Sequence, residues 1–204
     1  MFQNSLDIHE VKELRLKTLV YFGCGAIRKI EDIAAELEKR GVHSMLVVTG
    51  RGAYKATGAW GYVVPALEKH KIKYVLYDKV TPNPTTAQID EAVALGRTID
   101  AGAVLCIGGG SPTDAGKSAA ILLENPQYDA AQLYEYKFTP EKAVPVIAIN
   151  LTHGTGTEVD RVAVATILEK EYKPAIVADC IYPTWAIDDP ALMTGLSERQ
   201  TRFV

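Results

Sequence analysis

Residues 103–120 read A-V-L-C-I-G-G-G-S-P-T-D-A-G-K-S-A-A, and this stretch decides the fold of the chain. Its apolar run at residues 104–107 is typical of a strand buried on both faces of a sheet. Three successive glycines at 108–110 end that run. Ser111 is then predicted to be a helix N-cap and Pro112 the first helical residue. The stretch therefore predicts a strand, a glycine turn and a helix in direct succession.

A strand that passes through glycines into a helix leaves several backbone N–H groups without intrahelical partners. They lie at the positive end of the helix dipole, where Asp114 is expected in the first turn. In a parallel α/β sheet, such a helix N-terminus is typical of a site for a nucleotide phosphate. The pattern predicts that Gly108, Gly109, Gly110, Ser111 and Asp114 belong to this nucleotide-binding site.

Two known phosphate loops nearly fit this stretch. The dinucleotide pattern G-x-G-x-x-G fails because Thr113 stands at the last glycine position. The P-loop pattern G-x-x-x-x-G-K-[ST] finds its end in Gly116, Lys117 and Ser118, but Ser111 stands where its first glycine belongs. A P-loop-like nucleotide hydrolase therefore stays an alternative, as does a tight turn that binds nothing.

Strands alternate with helices along most of the chain, which predicts one α/β domain with a doubly wound, mostly parallel Rossmann-like sheet and helices on both faces. A β-hairpin is predicted to add an antiparallel element at one edge or side. The predicted strands are 16–22, 44–49, 73–77, 104–107, 144–149 and 184–187. The predicted helices are 26–40, 57–70, 85–99 and 111–123, a hairpin spans 159–178, and a further helix begins at 196.

The composition argues against several classes of protein. A net charge of −3 over 204 residues gives no basic footprint for nucleic acid. No apolar run approaches the roughly 20 residues of a membrane span, and the polar N-terminus is unlike a signal peptide. Three widely spaced cysteines indicate reduced thiols in a cytoplasmic protein. The four histidines include no i, i+4 pair, so no metal-ligating residue is predicted in this chain.

The segment G-G-G-S-P-T-D-A-G-K resembles the signature G-G-G-S-x-x-D-x-A-K of the iron-containing (group III) alcohol dehydrogenases, relatives of glycerol dehydrogenase and dehydroquinate synthase. Gly116 replaces the usual alanine. Other stretches agree with the family in order and spacing. They are F-G-C-G at 22–25, V-V-T-G-R-G at 47–52, T-P-N-P at 81–84, L-T-H-G-T-G-T-E-V at 151–159 and I-D-D-P-A-L-M-T-G-L at 187–196.

The resemblance implies an NAD(P)-dependent oxidoreductase that interconverts a small primary alcohol and its aldehyde. Fe²⁺ or another divalent metal would polarise the alcohol oxygen, held by an aspartate and three histidines from helices beyond residue 204. Residues 1–195 would form the dinucleotide-binding domain and 196–204 the start of a helical metal-binding domain, so that the chain alone would be inactive. The resemblance also implies a homodimer. A non-catalytic nucleotide-binding or assembly module remains the alternative.

Gly50 and Arg51 follow the second long strand, where a nucleotide-binding sheet meets the adenosine ribose. An acidic residue there would bond the ribose 2′-hydroxyl and repel a 2′-phosphate. Arg51 instead offers a bidentate cationic donor, which favours NADP over NAD. The alternative is a solvated arginine beside a turn glycine.

The resemblance implies further cofactor contacts. Asn83 matches a position at the adenine and ribose end, although an Asx-type turn explains it equally well. Thr152 and Thr155 lie in a glycine-punctuated loop and match cofactor-contacting positions. Lys173 matches a lysine near the nicotinamide ribose, with a surface lysine as the alternative. His153 is a candidate for general acid–base catalysis, with an ordinary polar loop residue as the alternative.

Asp188 and Asp189 resemble a catalytic carboxylate pair at the end of a strand. Adjacent residues in an extended segment point to opposite faces, so these two do not easily share one reacting group. They are predicted instead to cap and orient the turn at Pro190.

Overall fold

The computed structural model describes residues 12–15 and 17–203. Within them the chain forms a seven-stranded sheet and a separate two-stranded sheet. The strands are β1 (Lys12–Arg15), β2 (Leu19–Phe22), β3 (Ser44–Gly50), β4 (Lys73–Val80), β5 (Val104–Gly108), β6 (Val146–Asn150), β7 (Val162–Val164), β8 (Ala175–Val177) and β9 (Trp185–Asp188).

The large sheet has the order β1-β2-β9-β6-β5-β3-β4. Strand β1 runs antiparallel to β2, and the other six strands are parallel to one another. The central strands β5 and β6 are buried along their whole length, as expected for strands covered on both faces. The predicted doubly wound, mostly parallel sheet is confirmed.

Helices cover both faces of this sheet. The helices of the described chain are α1 (Ile30–Lys39), α2 (Ala53–Ala56), α3 (Trp60–Lys69), α4 (Thr86–Arg97), α5 (Gly110–Glu124), α6 (Ala130–Tyr134) and α7 (Glu198–Phe203). One apolar core lies under α1 and α3, and a second lies under α4, α5 and α6. Each core takes alternate side chains from the same strands, such as Leu105 on one face and Cys106 on the other.

The chain reverses its direction of travel across the sheet between β3 and β5, which are hydrogen-bonded neighbours. From β3 the chain passes through α2 and α3 on one face to β4 at the edge. From β5 it passes through α5 on the opposite face to β6. In open α/β sheets, ligands bind outside the carboxyl ends of the strands at such a switch point.

The helix after the glycines begins at Gly110, so Pro112 is its third residue and not, as predicted, its first. Gly109 is therefore the N-cap, and the predicted capping role of Ser111 is wrong. The first turn contains no acidic residue, so Asp114 does not lie where the dipole argument placed it. Glycine is a tolerated N-cap in its own right, and Pro112 fits inside the first turn because no N–H is needed there.

Other differences from the sequence predictions are small. The predicted helix 57–70 corresponds to α3, which contains Pro65, and the short helix α2 before it was not predicted. The predicted strand 16–22 begins at Leu19, and residue 16 lies outside the described residues. The hairpin forms its own small sheet, β7–β8, whose first strand packs on α5. Among the described residues, no helix is both long and apolar enough to cross a membrane.

Candidate functional site

Three backbone amides are free at the switch point. In the described part of the chain, the N–H groups of Gly109, Gly110 and Ser111 donate to no protein acceptor. The next amide along the chain, that of Thr113, bonds the carbonyl of Gly109 at 3.3 Å, because Pro112 carries no N–H. Three unpaired donors at the N-terminus of a fifteen-residue helix form a site suited to an anion.

The glycines are required by neighbouring side chains as well as by the turn. Gly108 has φ +152°, and a Cβ there would lie 2.6 Å from Pro112 Cγ. A Cβ on Gly109 would lie 2.5 Å from Thr152 Oγ1, and one on Gly110 would lie 3.0 Å from Thr155 Cγ2. The threonine loop after β6 therefore packs directly on the glycine turn after β5. This contact brings two separately predicted segments into one site.

One cleft beside the turn, which we call the Asn83 cleft, has a volume of about 360 Å³. Lys173 Nζ donates to the side-chain Oδ1 of Asn83 at 2.6 Å, and the backbone N–H of Asn83 donates to Ser111 Oγ at 3.2 Å. Asn83 has φ +58°, a left-handed conformation that fits the alternative interpretation of Asn83 as a turn residue. Six of the sequence-predicted site residues line this cleft, namely Asn83, Gly110, Ser111, Asp114, Thr155 and Lys173.

A second cleft, the Leu192 cleft, lies on the other side of the glycine turn and has a volume of about 400 Å³. It is bounded by α2 and by the segment that leads into α7. Three more predicted residues, Gly108, Gly109 and Thr152, line it. The glycine turn thus separates two clefts, and the predicted site residues divide between them.

Gly50 ends β3, next to the β5 strand that carries the glycine turn. A Cβ on Gly50 would lie 3.3 Å from the carbonyl oxygen of Val80, so the edge strand approaches closely here. Arg51 is exposed, and its guanidinium forms no hydrogen bond or ion pair within the described residues. It is therefore available to a ligand but does not line either cleft.

His153 is exposed at the tip of the threonine loop and contacts no polar group of the described chain. The two aspartates at the end of β9 have different surroundings. Asp189 is buried and accepts the amides of Gly25, Ile27 and Ala191, each at 3.0 Å. Its predicted capping role is confirmed. Asp188 does not cap the turn: its Oδ1 is buried without a hydrogen-bond partner among the described residues, and burial raises its pKa while a hydrogen bond with Asn150 opposes that shift.

Asp114 borders the Asn83 cleft. Burial raises its pKa to about 6, and three neighbours oppose that shift: the Thr157 hydroxyl, the Lys117 ammonium and the Val164 amide. The carboxylate is held on both oxygens. Oδ1 accepts the Thr157 hydroxyl at 2.7 Å and Oδ2 accepts the Val164 amide at 3.2 Å. Burial therefore disfavours the charged form of Asp114, and these hydrogen bonds partly stabilise it.

Lys117 has no access to a phosphate, which makes the P-loop alternative wrong. Its side chain is fully buried, and its ammonium is bonded by Thr157, Asp160 and Val162. A P-loop lysine would instead reach the phosphates of the nucleotide. The sequence motif drew attention to Lys117, but only the structure shows its partners, which lie 40 or more residues further along the chain.

Within the described ranges, no three His, Cys, Asp or Glu side chains converge where they would hold a metal ion. The side chains of the described residues therefore do not form a site that fits a metal ion. Cys24, Cys106 and Cys180 are all free thiols.

Comparison with known proteins agrees with the geometry. A family model described as "Iron-containing alcohol dehydrogenase" matches residues 17–190. The long-chain primary alcohol dehydrogenase AdhA of Thermoanaerobacter ethanolicus is 59% identical over 201 residues, which is 98% of this chain and 50% of that protein. The chain spans about half the length of the curated relatives it matches.

Solved structures show the same similarity. NADH-dependent butanol dehydrogenase A from Thermotoga maritima superposes with a TM-score of 0.84 at 32% identity, over 95% of this chain and 48% of that one. Sulfoacetaldehyde reductase from Bifidobacterium kashiwanohense, solved in complex with NAD⁺, superposes with a TM-score of 0.81 at 27% identity, over 94% of this chain and 49% of that one.

Proposed function

The chain belongs to the iron-containing alcohol dehydrogenase family, and from that premise we propose that it supplies the dinucleotide-binding part of an NAD(P)-dependent oxidoreductase. The observation that carries the proposal is the set of free amides at Gly109, Gly110 and Ser111, placed at the switch point of the sheet. A diphosphate is the anion that best matches several adjacent N–H donors at a helix N-terminus.

The two clefts give the cofactor room on both sides of its diphosphate. Asn83 and Lys173 lie in one cleft and are hydrogen-bonded to each other, so they would face the same ribose and not the two different ends of the cofactor that the resemblance implies. Thr152 and Thr155 flank the turn itself and offer hydroxyl groups. The bound nicotinamide would supply the hydride acceptor or donor, and these residues would orient it. Asp114 is partly buried and supports the wall of the Asn83 cleft.

Arg51 supports a preference for NADP over NAD. Gly50 at the end of β3 presents no carboxylate to repel a 2′-phosphate, and Arg51 is exposed and unpaired in the described structure. A guanidinium pairs with a phosphate through two parallel hydrogen bonds.

Several wider proposals follow from membership of the family. The reaction is interconversion of a small primary alcohol and its aldehyde, assisted by Fe²⁺ or another divalent metal. Residues 1–195 form the dinucleotide domain, and residues 196–204 begin a helical metal-binding domain. Three free cysteines fit a cytoplasmic location. The resemblance to the family also supports a homodimer, with β1 at the edge of the described sheet as the strand nearest to a second copy.

Titration of NADPH and NADH into the purified chain, followed by calorimetry, tests the proposed function. We expect saturable binding of one dinucleotide per chain, and no alcohol oxidation by the chain alone. Gly109→Ala should abolish binding, because its Cβ would meet Thr152 Oγ1. Gly61→Ala is the matched control, since open space surrounds that position. Equal binding by both variants, or no binding by the unmodified chain, would contradict the proposal.

A further inference from the structure

Lys117 lies on α5, one turn beyond the residues that border the Asn83 cleft, and its side chain is fully buried. Its ammonium lies within hydrogen-bond distance of four oxygens. These are Thr157 Oγ1 at 3.0 Å, the Asp160 carbonyl at 2.9 Å, Asp160 Oδ1 at 2.7 Å and the Val162 carbonyl at 2.9 Å. Four acceptors around one buried ammonium form a specific site and not an incidental contact.

All four oxygens belong to one short stretch, residues 157–162. That stretch contains only a single 3-10 turn, Thr157–Val159, and the first residue of β7. A segment with so little regular structure has few backbone bonds of its own to fix its course. The ammonium of Lys117 bonds four oxygens of residues 157–162 and so holds this segment against α5. Removing the ammonium would leave buried acceptors without a partner, which is costly.

The contacts of Lys117 continue to Asp114. The Thr157 hydroxyl accepts from Lys117 and donates to Asp114 Oδ1 at 2.7 Å. Asp114 Oδ2 accepts the Val164 amide at 3.2 Å, and Asp160 Oδ1 accepts the Val162 amide at 2.8 Å. The buried ammonium of Lys117 therefore positions the Asp160 carboxylate directly and the Asp114 carboxylate through the Thr157 hydroxyl. The two carboxylates in turn bond the amides of Val162 and Val164 in β7.

The residues bonded directly or indirectly to Lys117 form one wall of the Asn83 cleft. Five cleft-lining residues belong to this network, namely Asp114, Thr157, Asp160, Val162 and Val164. Lys117 itself does not line the cleft. It therefore has no direct contact with a ligand bound there, and any effect on binding passes through the wall.

We propose that Lys117 is a positioning residue whose buried ammonium fixes this wall for the cofactor. The inference rests on the proposed function only in taking the ligand of the cleft to be a dinucleotide. The fixed wall itself follows from the hydrogen bonds and needs no ligand.

Lys117→Met tests the inference, with Lys142→Met, an exposed lysine elsewhere, as the matched control. Hydrogen exchange of the unliganded chain should show the Val162 and Val164 amides exchanging about tenfold faster in Lys117→Met, with the β3 amides unchanged. The Kd for NADPH, measured well below the unfolding temperature, should rise about tenfold. A change of this size corresponds to a typical coupling between residues of one hydrogen-bond network. Lys142→Met should change neither value.

A lower unfolding temperature in Lys117→Met, with unchanged exchange at Val162 and Val164 and an unchanged Kd, would overturn the inference and leave Lys117 as a packing residue. If Lys117→Met does not fold, Asp160→Ala replaces it, because the Asp160 side chain is 39% exposed and its loss leaves three oxygens on the ammonium. It should speed exchange at Val162, and unchanged exchange would again overturn the inference. Failure of the unmodified chain to bind NADPH overturns the proposed function instead, so the two failures are distinguishable.

Discussion

Arg51 is an exposed residue with no polar partner in the described structure, placed beside the switch point at the end of β3. Arg51→Ala should lower the affinity for NADPH about tenfold relative to NADH, because one charge-assisted bidentate contact to the 2′-phosphate is lost. Calorimetric titration of both cofactors measures the ratio. Lys142→Ala, at an exposed site remote from β3, is the control. An unchanged ratio in Arg51→Ala would show that this side chain does not select the cofactor.

Asp114 provides a prediction about pH. Its pKa is raised by burial to about 6, above the ordinary value of 3.8. The folded chain therefore holds this proton more tightly than the unfolded chain does. The stability that the protonated carboxyl contributes is fully present below about pH 4 and is lost as pH rises through about 6.

Chemical denaturation of the unmodified chain and Asp114→Asn across pH 4 to 7 measures this effect. The stability of the unmodified chain relative to the variant should fall by up to about 3 kcal/mol as pH rises over that interval. Asp129→Asn, which alters a helix cap on a different element, is a control for general carboxylate effects. A difference between the unmodified chain and Asp114→Asn that stays constant with pH would contradict the assigned cause.

Single residues were predictable from the sequence where their role is local. Asp189 was expected to cap the Pro190 turn, and its side chain does so. The burial of Lys117 was not predictable, because its partners come from a segment 40 residues away and no periodicity signals them. Residue type favours Ser111 over Gly109 as the N-cap, but Gly109 is the N-cap in the structure. The capping preference of the residue type is overridden here by the backbone path of the glycine turn.

Strand β5 and helix α5 pack more closely than an ordinary strand and helix. At Gly116 an added Cβ would lie 2.2 Å from Cys106 Sγ and 3.3 Å from Val104 Cγ1. Burial raises the pKa of the Cys106 thiol to about 12, so it is an unreactive packing group. The glycine that departs from the family signature is thus explained by the sulfur that faces it.

Gly116→Ala should destabilise the chain by about 1–3 kcal/mol through overpacking, although alanine favours the helix. In the Cys106→Ala background the same change should be close to neutral, or stabilising by up to about 1 kcal/mol, because the space for the methyl group then exists. Urea denaturation of the four variants of this cycle measures the coupling. Additive effects of the two substitutions would contradict the close contact between α5 and β5.

Most elements were predictable because their boundaries are marked by the residues themselves. The apolar runs of β3, β5 and β6 end at Gly50, Gly108 and Asn150, within one residue of the predicted ends. The placement of the β7–β8 hairpin was less predictable, since whether two short strands join the main sheet or pack on α5 depends on tertiary contacts. Within the site, the packing of Thr152 and Thr155 on the glycine turn likewise depends on the order of β5 and β6.

At the scale of the whole molecule, sequence patterns alone predicted a doubly wound sheet but not the position of its switch point. Strand order is set by which apolar faces meet, and residues 44–50 and 104–108 give no local sign that they are neighbours. Their pairing brings Arg51, the free amides and the two clefts to one edge of the sheet. The site is therefore a property of the topology as much as of the glycine motif.

The central claim is that the free amides of the glycine turn hold the diphosphate of a nicotinamide dinucleotide. A crystal structure of the chain with NADPH tests it most directly. The account predicts diphosphate oxygens within about 3 Å of the Gly109, Gly110 and Ser111 amide nitrogens. A diphosphate bound elsewhere, or these amides bonded to the protein's own carbonyls, would contradict it.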